Sequence, residues 1–199
     1  KRIAGELDIP IIHTYHTVYE DYTHYFSPQK AWGRSLVQMM TRKLSDQVDA
    51  MIAPSGKIER ILEGYRVSCP VNVVPSGIDT EKYRKRIDDR SKEALRKQYG
   101  IKEDEIVFVY VGRMAKEKNI EELLWYQKSV QKNIKLVLVG DGPYRTTLEE
   151  KAKEYQVTDS VIFTGMVSPD EVARYYQIGD LFVSASTSET QGMTYDEAL

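Results

Sequence analysis

Cysteine is nearly absent. Cys69 stands alone among 199 residues, which excludes an internal disulfide and a metal site built from several thiolates, and it fits a reducing compartment. As the lone thiol it is expected to be a small buried residue. Net charge is also missing: 28 basic residues face 30 acidic ones, a formal −2, so no overall cationic surface exists for a polyanion and nucleic acid is disfavoured as a partner. No apolar run approaches the roughly 18 residues needed to cross a bilayer, so any membrane contact is expected to be peripheral. Histidine is scarce, with His13, His16 and His24 in one region. His13 and His16 fall on a strand and the loop after it, which does not put two imidazoles on one face, and no third ligand is implied, so no metal is expected.

What is present is ordinary for a globular chain: 41% hydrophobic and 29% charged residues, enough for one large or two small domains. Leu7 to Thr14 reads as a strand, followed by a polar aromatic loop from Tyr15 to Phe26. Ser27 to Ser45 contains four basic residues, Lys30, Arg34, Arg42 and Lys43, and no acid. Trp32, Leu36, Met39, Met40 and Leu44 recur at helical spacing within it. Two uses are open to such a stripe: burial on a sheet, which is the preferred reading, or an anionic bilayer surface. Asp49 to Pro54 and Pro70 to Pro75 are further short strands, with a helix from Lys57 to Arg66 between them that Ser55 is expected to start. Gly77 is expected to supply a positive φ in the turn at Ser76 to Asp79, where the domain boundary is drawn. Glu81 to Tyr99 reads as a single charged surface helix ending at Gly100.

Beyond it, Ile106 to Val111, Lys135 to Val139, Val161 to Thr164 and Leu181 to Ser184 are buried-strand runs. They alternate with helical stretches from Ile120, Tyr144 and Pro169, the last with Ser168 as its cap and Glu171 reaching back. Strict alternation predicts an α/β fold with parallel sheets and right-handed crossovers. Gly140-Asp141-Gly142-Pro143 suggests a dinucleotide fingerprint, but position 145 is arginine where the third glycine belongs, so the stretch is a tight turn. Gly112, Arg113 and Lys118 set a glycine and two cations at the carboxyl edge of the sheet, a fork and a point charge suited to a diphosphate. The last sixteen residues, SASTSETQGMTYDEAL, run from a strand through a polar loop into a helix. Glu189 and Glu197 flank that loop, and the amides of Gln191, Gly192 and Met193 are available to an anion. Carboxylates suit hydroxyls rather than phosphates, so the implied ligand carries both.

The paired glutamates, the Gly112-Arg113 and Lys118-Asn119 pair, the TYHT motif at His16 and the turn at Ser76 to Asp79 together resemble the retaining glycosyltransferases of the group 1 type. SETQGMTYDEAL is most similar to the branch of bacterial 1,2-diacylglycerol 3-glucosyltransferases. The resemblance implies a GT-B fold of two Rossmann-like domains with parallel sheets, both truncated here: 1–77 as the end of the acceptor domain and 78–199 as an incomplete donor domain. Lys1 lies in a helix-like stretch without a cap and Leu199 in one without a stop signal, so a fragment of a longer chain is expected. The resemblance further implies a hexose, glucose from UDP-glucose, moved to a diacylglycerol-type lipid without metal or other cofactor. The enzyme would work in the cytoplasm at the anionic inner face of the cell membrane.

By the same resemblance His16 lies near the transferred sugar, and Arg113 and Lys118 stabilise the departing diphosphate. Glu189 holds sugar hydroxyls, the amides near Gly192 hold sugar and diphosphate, Glu197 holds the ribose, and the backbone at Met166 meets the base. Front-face attack is implied, with the leaving phosphate taking the acceptor's proton. Two alternatives stay open: the same chemistry on a soluble sugar acceptor, and a sugar-nucleotide-binding module without catalysis.

Overall fold

The computed structural model describes residues 2–25, 30–130 and 133–199. Two compact units emerge, Lys1–Gly77 with Ser188–Gly192, and Ile78–Thr187 with Met193–Leu199. The expected boundary treated 78–199 as one body, whereas the loop 188–192 groups with the first unit.

In the first unit a short helix α1 (Arg2–Glu6) precedes a parallel three-stranded sheet in the order β1 (Ile12–Thr14), β2 (Ala50–Ala53), β3 (Val71–Val73). All three strands are shorter than expected. Leu7 to Ile11 is not strand: Asp8 takes a left-handed φ of 53°, and Leu7 and Ile9 are exposed. Helix α2 (Lys30–Ser45) joins β1 to β2, and α3 (Gly56–Tyr65) joins β2 to β3; Ser27 and the two residues after it lie outside the described residues. The core here is Tyr15, Val18, Val37, Met51, Ala53, Ile58, Leu62 and Tyr65.

Helix α2 corrects the preferred reading of its apolar stripe. Its buried face is Gly33, Val37, Thr41 and Ser45, one residue in every four. Trp32 is 75% exposed, Met39 59% and Met40 61%, with Leu36 also exposed. Small and polar groups are what the unit tolerates at this contact: the Ser45 hydroxyl donates to the Arg42 carbonyl at 2.7 Å and accepts from the Ser68 amide at 3.0 Å. Arg42 is also drawn inward, its Nε donating to the Tyr65 carbonyl. Cys69 is half-buried rather than buried, with burial pushing its thiol pKa up.

The second unit carries a parallel sheet in the order β6 (Val161–Gly165), β5 (Ile134–Val139), β4 (Ile106–Val111), β7 (Leu181–Phe182). Strands β4 and β5 are paired over their whole length, Ile106 to Val111 against Ile134 to Val139. Both faces are covered. Tyr110, Leu136 and Leu138 point to one side, with Ile120 and Leu124 of α6 (Ile120–Gln127) and Leu148 of α7 (Arg145–Glu154). Val107, Val109, Val111, Val137 and Val139 point to the other, with Leu95, Tyr175 and Ile178. Apolar side chains on successive positions are what a sheet covered on two faces requires.

Three expectations fail in this unit and at its border. The helix drawn from Glu81 to Tyr99 is two, α4 (Thr80–Arg84) and α5 (Asp89–Gln98). Asp88 caps the second, its carboxylate accepting from the Ser91 amide at 2.9 Å. Helix α8 (Val172–Ile178) starts later than Pro169, and no side-chain cap holds it; Ser168 contributes its carbonyl, which accepts from the amides of Glu171 and Val172. Gly77 has no positive φ. Ser55 does occupy the N-cap of α3, but without a side-chain cap bond. The last helix is α9 (Met193–Ala198). Among the described residues no helix is long and apolar enough to cross a membrane.

Candidate active site

The carboxyl edge of the second sheet is built from three glycine-containing loops laced together. The Gly112 amide donates to Val139 at 3.0 Å, Gly140 to Gly165 at 3.1 Å, Met114 to Asp141 at 2.8 Å and Tyr144 to Met114 at 3.0 Å, all backbone to backbone. Side chains are excluded at two of these crossings. A Cβ at Gly140, where φ is +127°, would sit 2.2 Å from the Gly112 carbonyl oxygen, and one at Gly142 would sit 2.3 Å from that of Met114. The turn expected at Gly140 to Pro143 is therefore a close backbone crossing. Arg145, at the position where a fingerprint would need glycine, bridges Asp141 at 2.9 Å and Glu149 at 2.8 Å. The Asp141 carboxyl is held below its ordinary range, first by the Gly142 amide and then by Arg145.

Arg113 and Lys118 leave this edge on the stretch after β4. The Arg113 guanidinium is about half exposed and pairs with Glu117, whose side chain is only 2% exposed. This ion pair fixes one terminal nitrogen of the fork on a buried carboxylate. Glu117 has no role in the reading of the sequence; the structure makes it the partner of Arg113. Lys118 is half-buried at the end of a 3-10 turn that finishes at left-handed Asn119, φ 51°. Met166, just beyond Gly165, is 79% exposed.

Glu197, on α9, accepts from one phenol: the Tyr176 hydroxyl donates to its Oε2 at 2.8 Å, and Tyr83 sets its ring edge to face against Tyr176, 6.0 Å between centroids. Burial, and then that carboxylate, push the Tyr176 pKa upward, while the same causes bring Tyr83 to about 12. Both tyrosines were missed in the sequence, because each is separated from Glu197 by 21 residues or more of chain and neither belongs to a motif.

In the first unit the loop Ser188–Gly192 is anchored through its backbone. Lys57 Nζ donates to the Glu189 carbonyl at 2.9 Å, and the Ser55 hydroxyl donates to that of Thr190. The Gln191 side chain makes a reciprocal pair with the Ser76 backbone: its Oε1 accepts from the amide at 2.7 Å and its Nε2 donates to the carbonyl at 3.0 Å. Only the Gln191 amide had been considered from the sequence. Gly192 takes φ +82° and is buried, and Met193 is exposed. The Glu189 side chain is half-buried, and His16 is exposed just after β1, next to fully buried Tyr15.

Two parallel sheets whose strands alternate with helices define an α/β protein. The family model for glycosyl transferases group 1 matches residues 91–199, and that for glycosyltransferase family 4 matches residues 1–82. The chain belongs to the group 1 glycosyltransferases. It is 44% identical to the alpha-monoglucosyldiacylglycerol synthase of Streptococcus pneumoniae, across 99% of this chain and 46% of that protein. It is 34% identical to the protein of the same name from Acholeplasma laidlawii, across 99% and 52%. Anabaena HepE, solved in complex with UDP-glucose, superposes with a TM-score of 0.82 at 18% identity, covering 98% of this chain and 52% of that one. The fold is GT-B, and the chain spans about half the length of the curated relatives it matches.

Proposed function

We propose that the protein of which this chain is part transfers glucose from UDP-glucose to a diacylglycerol-type lipid, with retention and without metal, at the cytoplasmic face of the membrane. The observation that carries the reading is Arg113, held by buried Glu117 beside the laced glycine loops. Developing charge on a UDP oxygen needs fixed cations, and a preorganised guanidinium with Lys118 meets that need without a metal. Glu197 takes ribose hydroxyls, the backbone at Met166 the base, Glu189 the glucose hydroxyls and the Gly192 region the diphosphate. His16 serves the transferred sugar.

Two relatives named as alpha-monoglucosyldiacylglycerol synthases support the donor sugar and the acceptor. Their alpha designation is the configuration of UDP-glucose itself, which favours retention. The uncovered stripe of α2, Trp32, Leu36, Met39 and Met40 with Arg34 and Lys43 exposed beside it, supports a surface that meets an anionic leaflet. The test is an assay of the complete protein with UDP-glucose and excess chelator, offering diacylglycerol in anionic vesicles against soluble sugars, with the product anomer read by NMR. Alpha-glucosyl lipid is expected. A beta product, a chelator-sensitive rate or transfer to soluble sugars alone overturns the corresponding part.

A further inference from the structure

We infer that Ser55 and Lys57, at the start of α3, are positioning residues that set the loop bearing Glu189 and so aim its carboxylate at the glucose of the donor. The inference rests on the reading of Glu189 as the group that holds glucose hydroxyls, and adds what keeps that group in place.

Both residues sit where a helix start would use them differently. Ser55 occupies the N-cap of α3 with an extended backbone, φ −156° and ψ 161°, and its side chain makes no cap bond, although capping is what serine ordinarily contributes there. Its carbonyl alone opens the helix, accepting from the amides of Ile58 and Glu59 at 3.0 and 3.1 Å. The hydroxyl turns instead to the Thr190 carbonyl. Lys57 puts a cation in the first turn, at the positive end of the helix dipole, where it is disfavoured; its Nζ donates to the Glu189 carbonyl at 2.9 Å. Two neighbouring departures from helix chemistry thus end on successive carbonyls of one loop, and such departures gather where function asks for them.

Residues 188–192 group with the first unit, although the strand before them and the helix after them belong to the second. Their setting therefore comes from side chains of the first unit. Ser188 is buried, the carbonyls of Glu189 and Thr190 are held from α3, and the Gln191 side chain is pinned at both ends on the Ser76 backbone, at 2.7 and 3.0 Å. With the peptide planes after Glu189 and Thr190 both held, the Cα–Cβ bond of Glu189 has a set direction, and its carboxylate keeps only the freedom of its own torsions. A carboxylate that must meet several sugar hydroxyls at once fails when its backbone drifts by about 1 Å, so the group that touches the ligand needs support behind it.

The experiment uses the complete protein and two probes of equal charge, UDP-glucose and the β-methyl ester of UDP, which keeps the diphosphate ester and lacks the sugar. Calorimetry gives the preference for UDP-glucose as the ratio of the two affinities in wild type, Glu189→Ala, Ser55→Ala, Ser55→Thr and Lys57→Met, with melting curves alongside. Glu189→Ala should lower the ratio about ten- to a hundredfold, the value of hydrogen bonds to a charged group. Ser55→Ala and Lys57→Met should each lower it about two- to tenfold. Ser55→Thr keeps the hydroxyl and should keep the wild-type ratio, and Ser55→Ala should melt close to wild type because no cap bond is lost. A ratio that falls in Glu189→Ala but holds in Ser55→Ala and Lys57→Met overturns the inference and leaves the glucose reading intact. A ratio unmoved by Glu189→Ala overturns the glucose reading and the inference with it. Equal loss of affinity for both probes in Ser55→Ala and Lys57→Met, or a lowered melting temperature in Ser55→Ala with an unchanged ratio, marks a merely structural role and also overturns the inference. Should Ser55→Ala not fold, Lys57→Met, at an exposed side chain, decides alone.

Discussion

The two units use the same strand-helix alternation and reach different degrees of cover. In the second, a pair of six-residue strands is apolar on both faces and sealed by helices on each. In the first, strands of three or four residues share one core, and Ile12, Val73 and four large side chains of α2 remain exposed. The difference teaches that alternation announces a parallel sheet but says little about which helix face completes it. Helix α2 turns its small residues inward and its large ones outward, so the greasy side and the buried side are not the same side.

The sharpest way to break the comparison is to remove one large apolar side chain from each unit. Leu138→Ala deletes a fully buried side chain of β5 and should cost about 2–5 kcal/mol in urea unfolding. Trp32→Ala should cost no more than about 0.5 kcal/mol, the range of surface changes. A Trp32 variant as damaged as the Leu138 one would show that the stripe is core after all. Next in size is Gly140→Ala, which forces both a disallowed φ and a collision with Gly112. A loss on the order of 1–3 kcal/mol is expected, with UDP affinity falling in the same titration; a Gly64→Ala control, in open space on α3, should cost nothing.

Of similar size, but on the ligand alone, is the next effect. Arg113→Ala with Lys118→Ala should weaken UDP binding in chelator by at least about ten- to a hundredfold, the value of one charge-assisted contact, without shifting the melting temperature as far as Leu138→Ala does. The smallest effect belongs to the first unit. Arg34→Gln with Lys43→Gln should reduce anionic-vesicle sedimentation by roughly 1 kcal/mol per charge, with the fold intact. Arg42 is a poor choice for that test, since its guanidinium holds the Tyr65 carbonyl and its loss would confuse folding with binding.

How much could be read beforehand follows the same division. Strand β4 was legible to the residue, because Ile106 to Val111 is an unbroken apolar run closed by Gly112. The first strand was not: Leu7, Ile9 and Ile12 look like strand by composition, yet they are exposed and Asp8 breaks the backbone between them. The split between α4 and α5 had a visible signal in Asp88 three residues ahead of Ser91, outweighed by the helix-forming charge run on both sides. Arg113 and Lys118 were legible as a pair of cations after a strand. Glu117 was not, because a buried partner and a solvated charge have the same letter, and only the 2% exposure of its side chain separates them. Tyr83, Tyr176 and the Ser76 contact of Gln191 depend on long-range packing, which no local spacing encodes.

The lacing of the three glycine loops has a consequence for motion. The amide protons of Met114, Gly140 and Tyr144 are each tied to a carbonyl on a neighbouring loop, so none can be released to solvent without displacing a second loop. Hydrogen exchange at these amides should proceed as one opening event rather than three independent ones, with near-equal protection and a common dependence on denaturant. The carboxyl edge of the second sheet would then behave as a single stiff rim, yielding all together or not at all.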